Sequence, residues 1–428
     1  MRRLVLSLVG AAAIGCNVSV LKSDDQGIGL DAVQHPAPCG IGLAVVSTDY
    51  ASSVIGALGW DGTVLSPSLL SSGSYPPGLA QSLSGDVALP SAAASPTELV
   101  IIDRYPAGVL SFVDLATAQL RAQLDVSTGY RSNPHDYVAI SRNKAYVTRF
   151  DPNPTPGRQP LDEGGDLLIV DPQRPEVTGR IALEPEPPTG TLLPHPDRAL
   201  AVNGDVLVVV SRYSIDYRQS GVAHLVLVDP DTDRVLDDLL LDGLHGCSGL
   251  AVNPDQSEVA VVCSGKWRSP QGATVEESGV VRIGLDGRLK ELGRLSAESL
   301  PNPQPFGFTV AYASSTRILT TVFGRASTTT TSAQPDRLLL WMLDLGEVRE
   351  LSRTREVPFS FGDLLCSPQC DLCALGNAER GDVELWQGLA GQDPTPLRAM
   401  LEGSLGLPPR RLGVLARDSV VRAAVADP

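Results

Sequence analysis

Residues 225–265 read LVLVDPDTDRVLDDLLLDGLHGCSGLAVNPDQSEVAVVCSG, and this stretch decides the fold. It holds four short apolar runs: Leu225–Val228, Val235–Leu241, Ser248–Val252 and Val259–Cys263. Asp-Pro-Asp-Thr-Asp separates the first pair and Asn-Pro-Asp-Gln-Ser the last. Val- and Leu-rich runs this short, bounded by turn residues, are strands joined by tight turns. Variants of the unit recur along the chain, the mark of a repeat architecture built from four-stranded sheets.

The register of the repeats is more telling than their composition. His135 precedes the turn residue Asn143 by eight positions, and His195 and His245 precede Asn203 and Asn253 by the same interval. Phe306 and Phe361 open further units in that register. Working outward, strand-like runs fall at Leu43–Asp49, Ser53–Trp60 and Thr63–Leu70, then, after a Ser/Gly/Pro-rich connector, at Leu99–Asp103, Val109–Leu115 and Gln119–Val126. A final pair lies at Arg411–Leu415 and Val420–Val425, and long helical periodicity is absent. The pattern predicts an all-β propeller of about seven four-stranded blades, with one blade assembled from both chain ends so that no sheet edge is left open. On that count one C-terminal run is in excess. Units such as VDPDTDRVLDDLLL and AISRNKAYVTRF resemble the YVTN-type, surface-layer-like seven-bladed propellers, a resemblance covering most of residues 41–425.

The 428 residues carry 34 Lys and Arg against 49 Asp and Glu, a formal charge of −15, while 43% are hydrophobic. A sizeable core is therefore expected, and neither nucleic acid nor an anionic lipid surface is an expected partner. Aromatics are also too scattered for a base-stacking surface. Met1-Arg2-Arg3, the short apolar run to Gly15, and Cys16 after Ala13-Ile14-Gly15 resemble a bacterial lipoprotein signal. Ala13 stands where that family usually has Leu. The resemblance implies residues 1–16 as signal and lipidation site, with Cys16 carrying the anchor, 17–38 as a tether and 39–428 as the propeller. Asn17, rather than an inner-membrane-retaining Asp, implies an outer-membrane lipoprotein facing the periplasm or the cell surface.

Six further cysteines, an even number in an exported chain, suggest disulfides. Cys247 and Cys263 are symmetric about the turn centred on Asp255, and so face each other across a hairpin. Cys366 and Cys373 do the same across Pro368–Asp371. That segment has the CxxxCxxC spacing of radical-SAM enzymes, but it lies in a hairpin turn near the C-terminus. Cys370 then projects toward Cys39, and a Cys39–Cys370 bridge would staple the seam of the ring. Buried free thiols and a zinc site are the alternatives.

In a propeller the innermost strand of each blade starts on the face where its neighbour ends. His135, His195 and His245 begin innermost strands, while Arg104, Arg149, Arg212, Lys266 and Arg325 end the adjacent ones. Both series should crowd one mouth of the central channel, where the loops 151–165, 214–223, 265–279 and 324–336 also open, the last carrying the Ser/Thr run Ser327–Ser332. Such a basic mouth favours an anionic ligand, a carboxylate, phosphate or acidic glycan. The competing reading pairs each Arg with a nearby acid (Asp103, Asp136, Asp151 or Asp197) that locks adjacent blades. Three histidines admit a metal, though they come from successive blades. Asp229-Pro-Asp231-Thr-Asp233 lacks the Gly and the distal Glu of a calcium loop. No Gly-rich phosphate loop, nucleophile elbow or other catalytic set stands out, and no cofactor is implied. The expected role is a lipid-anchored envelope module that binds a ligand or a partner protein. The alternative is a propeller-type hydrolase or lactonase, because related propellers host such enzymes with acidic, His and Arg residues at the mouth.

Overall fold

The computed structural model describes residues 26–28, 39–183, 191–268, 272–327, 332–355, 358–367, 370–389 and 394–416. Among them are seven four-stranded antiparallel sheets, each a blade of a ring, and one short ribbon pairing Trp267–Arg268 with Gly272–Ala273. Six blades run outward in chain order from the innermost strands Val87–Ala88, Pro134–Ser141, Leu192–Val202, Cys247–Val252, Phe306–Ser314 and Phe361–Ser367. In the seventh, the innermost strand is Pro409–Leu415. It pairs with Gly42–Thr48, and Ser53–Leu58 and Val64–Ser71 lie outside. The chain ends thus close the ring through a ladder running from Gly42 opposite Leu415 to Ser47 opposite Pro409.

The run in excess is thereby explained. Arg411–Leu415 supplies the closing blade's innermost strand, and Val420–Val425 lies outside the described residues. The first blade's innermost strand is only Val87–Ala88, inside what the sequence reads as a connector. Its brevity is physical: Pro90 cannot donate to a ladder, and a three-residue apolar run, Val87 to Leu89, gives no periodic signal.

Position within a blade sets the burial pattern. The second strand of the fourth blade, Glu258–Ser264, is buried along its whole length because neighbouring blades cover both faces. The outermost strand of the third, Arg234–Leu240, is mostly open to solvent. Between blades the apolar side chains merge; Tyr146, Leu167, Val206, Val208 and Val228 form one cluster between the second and third. Each Val or Leu so enclosed contributes about 1.5–3 kcal/mol. Buried carboxylates add directional ties. Asp136 accepts from Ser91 N and Ala199 N, both at 2.9 Å, and so joins the first three blades. Burial pushes its pKa up.

The three disulfides have Cα separations of 5.7 Å for Cys39–Cys370, 3.7 Å for Cys247–Cys263 and 4.0 Å for Cys366–Cys373. Both hairpin pairs are tighter than a regular ladder, and at Cys247 the register shifts before Gly249. Within the segment read as a tether, residues 26–28 are docked on the ring. Gln26 N and Ile28 N donate to Ser68 O and Leu115 O at 2.8 and 2.7 Å, and the Ile28 side chain is buried against the closing and first blades. Gly27 is required there, since a Cβ would stand 1.8 Å from Ala116 O. Residues 1–16, including Cys16, lie outside the described residues. No helix among those described is long and apolar enough to cross a membrane.

Candidate functional site: the mouth of the axial channel

Because every blade contributes its innermost strand to the axis, side chains distant in sequence meet there. The axial space has two parts. A chamber of about 850 Å³ opens on the face where the innermost strands begin, and a narrower space of about 330 Å³ lies below it. Arg198 and Asp363 line both. Arg198, on the third blade, donates from Nη1 to Leu89 O at 3.1 Å beside the first blade, and places Nη2 3.6 Å from Asp363 on the sixth. It is a strut across the axis, and it divides the channel. Asp363 also receives Arg411 Nη1 at 2.9 Å.

A second charged row crosses the chamber wall from blade to blade. Asp86 holds Arg104 through a guanidinium–carboxylate pair, Arg104 Nη1 lies 3.4 Å from His135 Nε2, and His135 Nδ1 lies 3.1 Å from Asp197. A guanidinium can only donate, so Nε2 accepts and the ring proton sits on Nδ1, directed at Asp197. Burial pushes the His135 pKa down, which keeps the ring neutral. Burial works against the Asp197 carboxylate as well, yet His135, Arg198 and Arg104 hold its pKa below the usual range. Burial and the nearby Arg411 charge lower that of Arg104. Across the chamber, Lys266 Nζ meets Glu277 at 2.8 Å.

The residues singled out from the sequence share this face but not one role. His135, Arg104 and Lys266 line the chamber. His195 is sealed behind its wall, ring against Phe150, Tyr213 and Tyr217 at centroid distances of 5.1–5.2 Å. Burial pushes its pKa down to about 4. His245 is buried beside the chamber-lining Ser220, with 2.8 Å between Ser220 Oγ and Nδ1. Phe150 stacks on His135 at 4.2 Å and stands between that ring and His195, so these two imidazoles face different partners. Arg149 is fully buried and forked onto Asp166 at 2.7 and 2.6 Å; it is ion-paired, but with an acid not foreseen and on the neighbouring strand of its own blade, so the pair does not lock adjacent blades. Arg212 donates to Leu192 O at 2.8 Å. Arg325 is exposed on its loop, bridged through its backbone to Gln334. Ser/Thr positions 328–331 lie outside the described residues.

Sequence reading missed Arg198, Asp363, Arg411 and Asp86. Arg198, Asp363 and Arg411 lie within three residues of a recognised unit or strand start, but Arg198 and Asp363 follow His195 and Phe361 by three and two positions, so the register does not mark them alike, and Asp86 precedes the unrecognised strand Val87–Ala88. It also missed an aromatic wall, in which Trp267 and Phe308 line the chamber, backed by Phe323 and Phe359. In total the chamber wall presents five cationic side chains and two carboxylates. This arrangement can hold a polar anion against a stacking surface, and it orients one neutral imidazole beside a carboxylate.

Fold and site together define a seven-bladed β-propeller with a charged axial chamber. No protein-family model matches the chain, and no curated protein matches it in sequence. Solved structures do share its fold. A candidate 6-phosphogluconolactonase from Bacteroides fragilis aligns with a TM-score of 0.52 at 9% identity, covering 87% of this chain and 97% of that one. A protein from Lactobacillus plantarum aligns at 0.51 and 12%, covering 86% and 98%. Hydrazine synthase from Kuenenia stuttgartiensis aligns at 0.51 and 13%, covering 73% and 80%. At such identities the likeness is one of fold alone.

Proposed function

We propose that this protein is a binding module of the cell envelope, anchored through a lipidated Cys16, that takes a small anionic ligand in the mouth chamber. The observation that carries the reading is the donor set on the wall: Arg104, Arg198, Arg218, Lys266 and Arg411 face the chamber, while three of the acids that pair them, Asp86, Asp216 and Glu277, stand off its lining. A concave wall gathers these cations at one place, and the guanidinium N–H groups not used in the ion pairs suit carboxylate or phosphate oxygens. Titration calorimetry with phosphate, succinate and glucuronate tests it. Binding should weaken as ionic strength rises, and neutral glucose should bind far less; equal binding of glucose and glucuronate refutes the reading. For the anchor, Cys16→Ser should move the protein from the membrane to the soluble fraction, and unchanged fractionation refutes it.

A hydrolase or lactonase is the second reading, favoured by one feature. Asp197 orients a neutral His135 on the chamber wall, and if Arg104 turned from Nε2 onto a substrate, that nitrogen would be free to act as a general base toward water. Some structures of the same fold are described as candidate 6-phosphogluconolactonases. Turnover of a lactone panel that disappears in His135→Gln supports this reading, and no turnover by the unaltered protein removes it.

A further inference from the structure

The chamber is two-sided. In the ring order, the fourth and fifth blades stand opposite the first, and the closing blade lies beside the first. The latter side carries Arg104 and Arg411. The former carries Trp267 and Phe308 on the chamber wall, beside the ion-paired Lys266, and behind them stand Phe359, 5.8 Å from Trp267, and Phe323, 4.8 Å from Phe359 and 4.7 Å from Phe308. Trp267, Phe308 and Phe359 remain 51%, 46% and 41% exposed. Single exposed apolar residues are ordinary, but a contiguous aromatic surface turned into a cavity marks a binding face. The negative faces of these rings attract the electropositive C–H edges of another ring.

Resting on the reading that the chamber takes an anion, we infer that its ligand is a carboxylate borne on a ring, a sugar acid or an aromatic acid. The ring lies on Trp267 and Phe308, and the carboxylate turns toward Arg411 and Arg104. Asp363 takes Arg411 Nη1, and a guanidinium has five N–H donors, which leaves the rest of the fork for a second carboxylate. A space of about 850 Å³ suits one such molecule.

Calorimetry on the mature protein with glucuronate, 4-hydroxybenzoate, glucose, phenol and acetate tests the inference, with tryptophan fluorescence read in parallel. Trp60 and Trp386 are buried and Trp341 is half-buried, so Trp267 is the exposed reporter. At least one ring acid should bind tenfold or more tighter than acetate and than its own neutral ring, and change the emission. Trp267→Ala should weaken that acid about tenfold and leave acetate unchanged, with the melting temperature as folding control. A response to glucuronate alone identifies a sugar acid, and one to 4-hydroxybenzoate alone an aromatic acid; either supports the inference. Acetate binding as tightly as both ring acids overturns it while leaving anion binding intact. Neutral rings binding as tightly as their acids overturn the anion reading itself, and no binding by any probe overturns both.

Discussion

Replacing Arg149 by Met separates a strut from a ligand contact. Its guanidinium is wholly enclosed, with Nε and Nη2 forked onto Asp166 at 2.7 and 2.6 Å and Nη1 on Thr128 Oγ1 at 2.6 Å. Removing one partner of a buried ion pair costs about 3–5 kcal/mol, because the other charge is stranded without water. Asp166 keeps a neighbour in Arg180, 3.6 Å away, so the lower end, about 3 kcal/mol, is expected. With about 2.1 cal/mol/K of unfolding entropy per residue over roughly 380 residues, that amounts to about 4 °C in melting temperature. Reversible urea unfolding with the disulfides intact gives the free energy. Adding Asp166→Leu should restore most of the loss, since the stranded charge goes with it. A single variant within about 1 kcal/mol of the parent that loses ligand binding would falsify the strut and make Arg149 part of the site.

The pH dependence of stability should carry the mark of His195. Its folded pKa is about 4 against an ordinary value near 6.5, so as pH falls below that value the unfolded chain takes up the proton first. The contribution is complete above about pH 6.5 and is lost progressively down to about pH 4, a loss of about 3 kcal/mol. His195→Phe should flatten that part of the urea-derived curve, and an unchanged slope contradicts the assignment. Asp363→Asn removes the carboxylate that Arg198 and Arg411 share, so calorimetry should show anion affinity rising roughly tenfold at low salt; a fall would mean that Asp363 itself receives the ligand. Joint replacement of Cys39 and Cys370 by Ser opens a loop of 331 residues, and urea unfolding should show a loss of about 2–4 kcal/mol, whereas no change would show that the strand ladder alone secures the seam.

The sequence told more about the frame than about the chamber, for a physical reason. Strand periodicity is local, so the runs around residues 225–265 and the hairpin symmetry of Cys247 with Cys263 could be read directly. Val87–Ala88 could not, because a two-residue strand before Pro90 has no period. The His135, His195 and His245 register pointed to the face on which the chamber opens, but register fixes where a backbone position lies and not which way a side chain turns. Hence His135 reaches the chamber while His195 turns into an aromatic nest. The Arg198–Asp363 strut joins blades 165 positions apart in the chain. No local pattern encodes such a pair; only closure of the ring brings it together.

A crystal of the protein soaked in 4-bromobenzoate tests the mouth chamber most directly, since the bromine marks the ring and the density marks the carboxylate. The expected result is an anomalous peak over Trp267 and Phe308, with the carboxylate beside Arg411 and Arg104. A chamber left empty both by this soak and by one in glucuronate, or a carboxylate turned away from both guanidiniums, would contradict the account.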